Sequence, residues 1–133
     1  MIRVLIVDDH AIVRKGIRAL LSESGGFEIV GEMADGQEAV LAAAQAQPDV
    51  ILMDLLMPGM DGIEATRQIT SQRPGARILV LTSFAADNKL FPAIKAGALG
   101  YLLKDSSPED LMRAIRQPAA AHTCMMVSNI ISM

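Results

Sequence analysis

Several polar residues stand where apolar runs stop. Asp8 and Asp9 follow IRVLIV (residues 2–7), Asp54 follows VILM (50–53), Thr82 ends RILVLT (77–82), and Lys104 follows GYLL (100–103). A carboxylate can act as a phosphoryl nucleophile and form an aspartyl phosphate. Phosphoryl transfer then asks mainly for positioning and for charge neutralisation on the equatorial oxygens. An ammonium such as Lys104, a hydroxyl such as Thr82 and a divalent cation suit those oxygens. Three carboxylates gathered together repel one another, which a bound cation relieves. An all-oxygen donor set without a His or Cys cluster points to a hard ion, Mg²⁺. His10, beside the turn, is expected to be structural or exposed rather than a ligand, and His122 likewise.

These residues meet only if the fold brings the ends of their runs together. The stretch VILMDLLMPGMDG (50–62) is the centre: a strand-type run, one acid, a turn marked by Pro58 and Gly59, and a helix start at Asp61. A continuous apolar run bounded by turns suits a strand buried on both faces. FEIVGEM (27–33) instead alternates, as a partly exposed edge strand does. Helices fit between the runs. From Ala11 to Ser22 the apolar residues Ile12, Val13, Ile17, Leu20 and Leu21 take one side and Arg14, Lys15 and Arg18 the other. Asp35, Asp61 and Ser107 are predicted N-caps, with Pro108 at a first helical position. Pro92 is tolerated only in a first turn, so the fourth helix is expected to start near Phe91 and to be short, with a soft segment from Ala85 to Leu90.

Five strands alternating with five helices predict an α/β fold, a doubly wound parallel sheet. Right-handed crossovers leave few topologies, and the flavodoxin-like order 2-1-3-4-5 is favoured. That order makes the first and third strands neighbours, gathering Asp8, Asp9 and Asp54 at the carboxyl edge where such sheets bind ligands.

Composition narrows the function. Hydrophobic residues are 51% of the 133 but aromatics only 3%, so the core must be aliphatic. A net charge of −3 gives no electrostatic basis for nucleic-acid binding by this segment. No apolar run approaches the roughly 20 residues of a membrane span, and Asp8 and Asp9 interrupt the first run, so neither an anchor nor a signal peptide is expected. The lone cysteine, Cys124, excludes an internal disulfide and suits the cytoplasm.

Together, the runs Val7-Asp8-Asp9-His10, MDLLMPGMDG (53–62), Leu81-Thr82-Ser83 and GYLLKD (100–105) resemble response-regulator receiver domains. The wording DDHAIVRKGIRALL and GYLLKD is most similar to the NarL/FixJ class of two-component transcription regulators. The resemblance covers residues 1–117 and implies a phosphorylation-controlled switch rather than a stand-alone enzyme. It implies that Asp54 accepts a phosphoryl group from a sensor histidine kinase, and that Asp9, Asp54 and the Leu56 backbone carbonyl hold Mg²⁺. Asp8 would act through a water, Lys104 would pair with the phosphoryl group, and Thr82 and Tyr101 would form the switch pair. It further implies homodimer formation on phosphorylation, and DNA contact only through an output domain not present in this chain.

Two other classes compete. A flavodoxin-like FMN carrier would want a Ser/Thr-rich loop after the first strand and aromatics, both scarce here. A receiver-like module that is never phosphorylated would not need the full acid, Thr and Lys set. Residues 118–133 depart from the family pattern: Lys and Arg are absent after Arg116, and Pro118 is expected to end the last helix. That tail is expected to be dispensable for the switch.

Overall fold

Strands form at the apolar runs and at the alternating edge stretch. In the computed structural model they are β1 (Ile2–Val7), β2 (Phe27–Met33), β3 (Val50–Asp54), β4 (Ile78–Thr82) and β5 (Gly100–Leu103). The structure describes residues 1–55, 57, 59–82, 90–104 and 106–116. The expectations for the Leu56 carbonyl, for residues 85–89 and for the tail lie outside that set. All neighbouring strands pair in parallel, in the expected order β2-β1-β3-β4-β5. β3 and β4 are buried along their whole length, which is why each holds only one polar residue, at its last position. β2 lies at an edge and is fully buried only at Phe27.

A parallel sheet needs crossovers that return over its faces. The crossing helices are α1 (Ala11–Ser24), α2 (Gly36–Ala46), α3 (Gly62–Gln72) and α4 (Leu90–Ala96), with α5 (Pro108–Arg116) last. Side chains of β1 alternate between the two layers. Val4 and Ile6 pack with Ile17 and Leu21 of α1 and Leu111 and Ile115 of α5. Leu5 and Val7 pack with Ala39 and Val40 of α2 and Ala65 and Ile69 of α3. Each fully buried Leu or Ile contributes about 1.5–3 kcal/mol.

The predicted caps form. Asp35 Oδ1 accepts the Glu38 N–H at 2.8 Å, Asp61 Oδ1 the Glu64 N–H at 2.9 Å, and Ser107 Oγ the Asp110 N–H at 3.2 Å. Glu38 does not complete the usual reciprocal box; its Oε1 accepts from Ala34 N–H at 3.3 Å, one residue outside the cap. α1 runs to Ser24, two residues past the expected stop, and ends at Gly25-Gly26.

Two places depart from the regular plan. Between Val4↔Ile29 and Leu5↔Gly31 the β1–β2 register slips by one, so Val30 is an extra residue in the edge strand. α4 has only seven residues and starts at Leu90, which places Pro92 in its first turn. Its far end is tied to α3, where Thr70 Oγ1 donates to Ala96 O at 2.8 Å. The next residue, Gly97, has φ +122°, and a Cβ there would lie 2.6 Å from the Thr70 side chain.

Candidate functional site

β1 and β3 are adjacent with Val7 opposite Met53, so Asp8 and Asp54 leave the sheet at the same level. Both are buried, with 0% and 2% of their surface exposed. Asp8 is held on every side. Its N–H donates to Met33 O at 3.0 Å. Its Oδ1 accepts the His10 N–H at 2.8 Å, a local turn that leads the chain into α1. Arg14 Nη1 donates to its carbonyl oxygen at 2.5 Å.

Lys104 arrives from β5. Leu103 pairs with Thr82, and the Lys104 N–H donates to Thr82 O at 2.8 Å. From there the ammonium crosses the strand ends: Nζ lies 3.0 Å from Asp8 Oδ2 and 3.3 Å from Asp54 Oδ1. Burial alone pulls this ammonium down. The hydrogen bond to Asp8 and the charges of Asp54 and Asp8 outweigh it, so the net displacement is upward from 10.5. The lysine therefore stays charged as the acids' counter-ion.

The start of α3 closes the other side. Gly62 N–H donates to Leu55 O at 3.2 Å. A Cβ at Gly62 would stand 2.2 Å from Asp54 O, so only glycine lets the helix begin this close to the acid. Thr82, one residue past the β4 partner of Asp54, is buried at 3% exposure. Tyr101 is also buried, in the cluster that includes Val80, Ala93 and Ala98.

The structure thus brings together Asp8, Asp9, Asp54 and Lys104, with Thr82 at the next strand end. It also adds two residues that sequence reasoning did not place here. His10 Nδ1 is 3.1 Å from both Asp8 Oδ1 and Asp9 Oδ1, although the ring remains mostly exposed. Its position immediately after the two acids is the only signal the sequence holds. Arg14 looked like part of a solvated helix face.

The three carboxylates suit a hard cation, with the mostly exposed His10 ring at their edge. One ligand atom from each of Asp8, Asp9, His10 and Asp54 can be chosen so that all lie within 4.8 Å of one another. Opposite ligands of an octahedral Mg²⁺ stand about 4.2 Å apart, so only a small contraction is needed. No described helix is long and apolar enough to cross a membrane.

An acid at the end of a central parallel strand, beside a second acid and a bridging lysine, defines a receiver-type site on a flavodoxin-like fold. Residues 4–116 match the response regulator receiver domain model, and the chain belongs to that family. It is 53% identical over 116 residues to the transcriptional regulatory protein LiaR of Bacillus subtilis (strain 168), covering 87% of this chain and 55% of that protein. The chain spans about half the length of the curated relatives it matches. A solved LuxR-family two-component response regulator from Aurantimonas sp. SI85-9A1 superposes with a TM-score of 0.85 at 36% identity, covering 100% of this chain and 99% of that one. The signal receiver domain of NarL from Mycobacterium tuberculosis gives 0.83 at 35% identity, covering 90% and 96%. The resemblance to the NarL/FixJ class stands on these relatives.

Proposed function

We propose that this chain accepts a phosphoryl group on Asp54 from the phosphohistidine of a sensor histidine kinase. The observation that carries the reading is Lys104 Nζ between Asp8 Oδ2 and Asp54 Oδ1, beside a nearly buried carboxylate at the strand end. An Asp54 oxygen attacks phosphorus; a P–O bond forms, the P–N bond to the donor imidazole breaks, and its electron pair returns to that nitrogen. Lys104 is placed to meet the charge on the transferred group. Asp9 and Asp54 would hold Mg²⁺ directly, and the Leu56 carbonyl, which lies outside the described residues, would join them as in the family this chain resembles. Asp8, engaged by His10 N–H and Lys104, suits a role through water. When bound, the ion neutralises charge on the phosphoryl oxygens.

Residues 1–117 form this receiver unit, and residues 118–133 are not needed for it. The output is conformational rather than catalytic: Thr82 is drawn toward the new charge, and the buried Tyr101 reports it to the α4–β5–α5 face. The equilibrium between two arrangements shifts; no new fold is made. The same reading extends to dimer formation on phosphorylation, to transcriptional control through a DNA-binding output domain and to a cytoplasmic location.

The test is intact mass after incubation with Mg²⁺ and a small phosphodonor. Wild type should gain one phosphoryl group and Asp54→Asn none. An equal gain in both would remove Asp54 from its role. A wild type that never gains it would favour a receiver-like module that is not phosphorylated.

A further inference from the structure

We propose that Arg14 is a positioning residue for the cation site: it fixes the Asp8–Asp9 peptide and thereby aims the Asp9 carboxylate. This rests on the reading of Asp8, Asp9 and Asp54 as a Mg²⁺ site. Arg14 lies in the first turn of α1, with its side chain 20% exposed. Its Nη1 donates to Asp8 O at 2.5 Å, while its Nε lies 3.7 Å from Glu32 Oε1. Glu32 sits at the end of β2 and is also paired with Arg18 Nη1, so the anchor is itself held.

The consequence follows from peptide geometry. Asp8 O belongs to the planar unit that ends at the Asp9 nitrogen and Cα. Holding that oxygen fixes the plane before Asp9; the plane after it is held by the His10 N–H donating to Asp8 Oδ1 at 2.8 Å, and between the two the direction in which the Asp9 side chain leaves is set. The preceding plane is held too, because Asp8 N–H donates to Met33 O at 3.0 Å. Both peptide planes flanking Asp8 are therefore braced on β2, one directly and one through Arg14. A guanidinium is suited to this, since one of its nitrogens can hydrogen-bond a carbonyl while another stays within ion-pair range of a carboxylate. A lysine offers a single point charge.

Positioning and electrostatics predict opposite signs. Arg14 is a cation near a cation site. If its charge were all that mattered, removing it would tighten Mg²⁺ binding. If it aims Asp9, removing it loosens binding, as loss of partners behind a ligand does elsewhere.

The experiment is a Mg²⁺ titration of the full chain, read from backbone amide shifts. The proteins are wild type, Arg14→Ala, Arg14→Lys, Glu32→Gln and, as control, Asp9→Ala. Arg14→Ala should weaken Mg²⁺ about tenfold. Glu32→Gln should weaken it less, and Arg14→Lys should restore binding only in part. The amide of Asp9 should show the largest change between Arg14→Ala and wild type before any Mg²⁺ is added. Unchanged or tighter binding by folded Arg14→Ala overturns the proposal. If that variant does not fold, Glu32→Gln decides, and wild-type affinity there overturns it. Equal binding by wild type and Asp9→Ala would instead sink the metal reading itself, and the role of Arg14 with it.

Discussion

At the acidic corner, β1 and β3 hand their acids to structure that holds them. Asp8 is bonded through its N–H, its carbonyl and its carboxylate, and Asp54 sits against the first residue of an 11-residue helix. Across the sheet, between β4 and β5, the connecting helix α4 has seven residues and leaves Phe91 63% exposed. The described side-chain bond holding its far end comes from Thr70. A helix that short has little stability of its own. Elements that move are drawn from such weakly held parts. Asp8 and Asp54 are thus tightly held by the backbone around them, and α4 is the more weakly held of the two regions.

Gly62→Ala should break this contrast most severely. The added Cβ meets backbone rather than a flexible side chain, so the start of α3 or the end of β3 must move. We expect a loss of about 3 kcal/mol, the upper part of the range for overpacking, together with loss of Mg²⁺ binding. Urea unfolding and a Mg²⁺ titration check it; wild-type behaviour in both would show that the corner is softer than described.

Cation binding comes next in size. At Mg²⁺ ten times its dissociation constant, mass action should stabilise the native state by about 1.4 kcal/mol. Chelation should remove that gain in wild type, whereas Asp9→Ala should show little gain at all. Identical melting shifts in the two proteins would take Asp9 out of the site.

Thr70→Val sharpens the contrast from the other side. It keeps the shape but removes the one hydroxyl proton that the Ala96 and Thr66 carbonyls share, a loss of about 1 kcal/mol. Amide exchange should quicken along α4 while Mg²⁺ affinity stays at the wild-type value. A fall in affinity would mean that the two regions are one mechanical unit.

The smallest effect belongs to Lys104 in alkali. Its folded-state value lies above 10.5, so its contribution is complete below that pH and is lost as pH rises through the higher folded value. The stability gap between wild type and Lys104→Met should hold steady at neutral pH and narrow only as the pH rises past the ordinary lysine value of 10.5. A gap that widens there would contradict the pairing with Asp8 and Asp54.

Much of this was legible in the chain because the relevant forces are local. Runs such as VILMD and RILVLT mark strands buried on both faces, and Asp35, Asp61 and Ser107 mark helix starts through bonds three residues long. What escaped depends on groups far apart in sequence. Arg14 and Glu32 are 18 residues apart, and nothing in an amphipathic stripe says that one arginine turns inward to a carbonyl. Lys104 was expected to pair with a phosphoryl group, and that its ammonium also reaches Asp8, at 3.0 Å against 3.3 Å for Asp54, depends on strands far apart in sequence. The register slip at Val30 left no trace either, because an extra residue in an alternating strand reads as a continuation of the pattern.

That slip bears on how the molecule keeps to itself. Among the described residues β2 is an outer strand, and its far side offers unpaired amides and carbonyls that another chain's strand could copy. One extra residue bends the strand and breaks the even spacing that such templating needs. The exposed Glu28, along the same strand, adds charge that an incoming backbone would have to desolvate. Copies of this domain should therefore meet through their helices, and crowding in the cell should not draw their sheets into fibres.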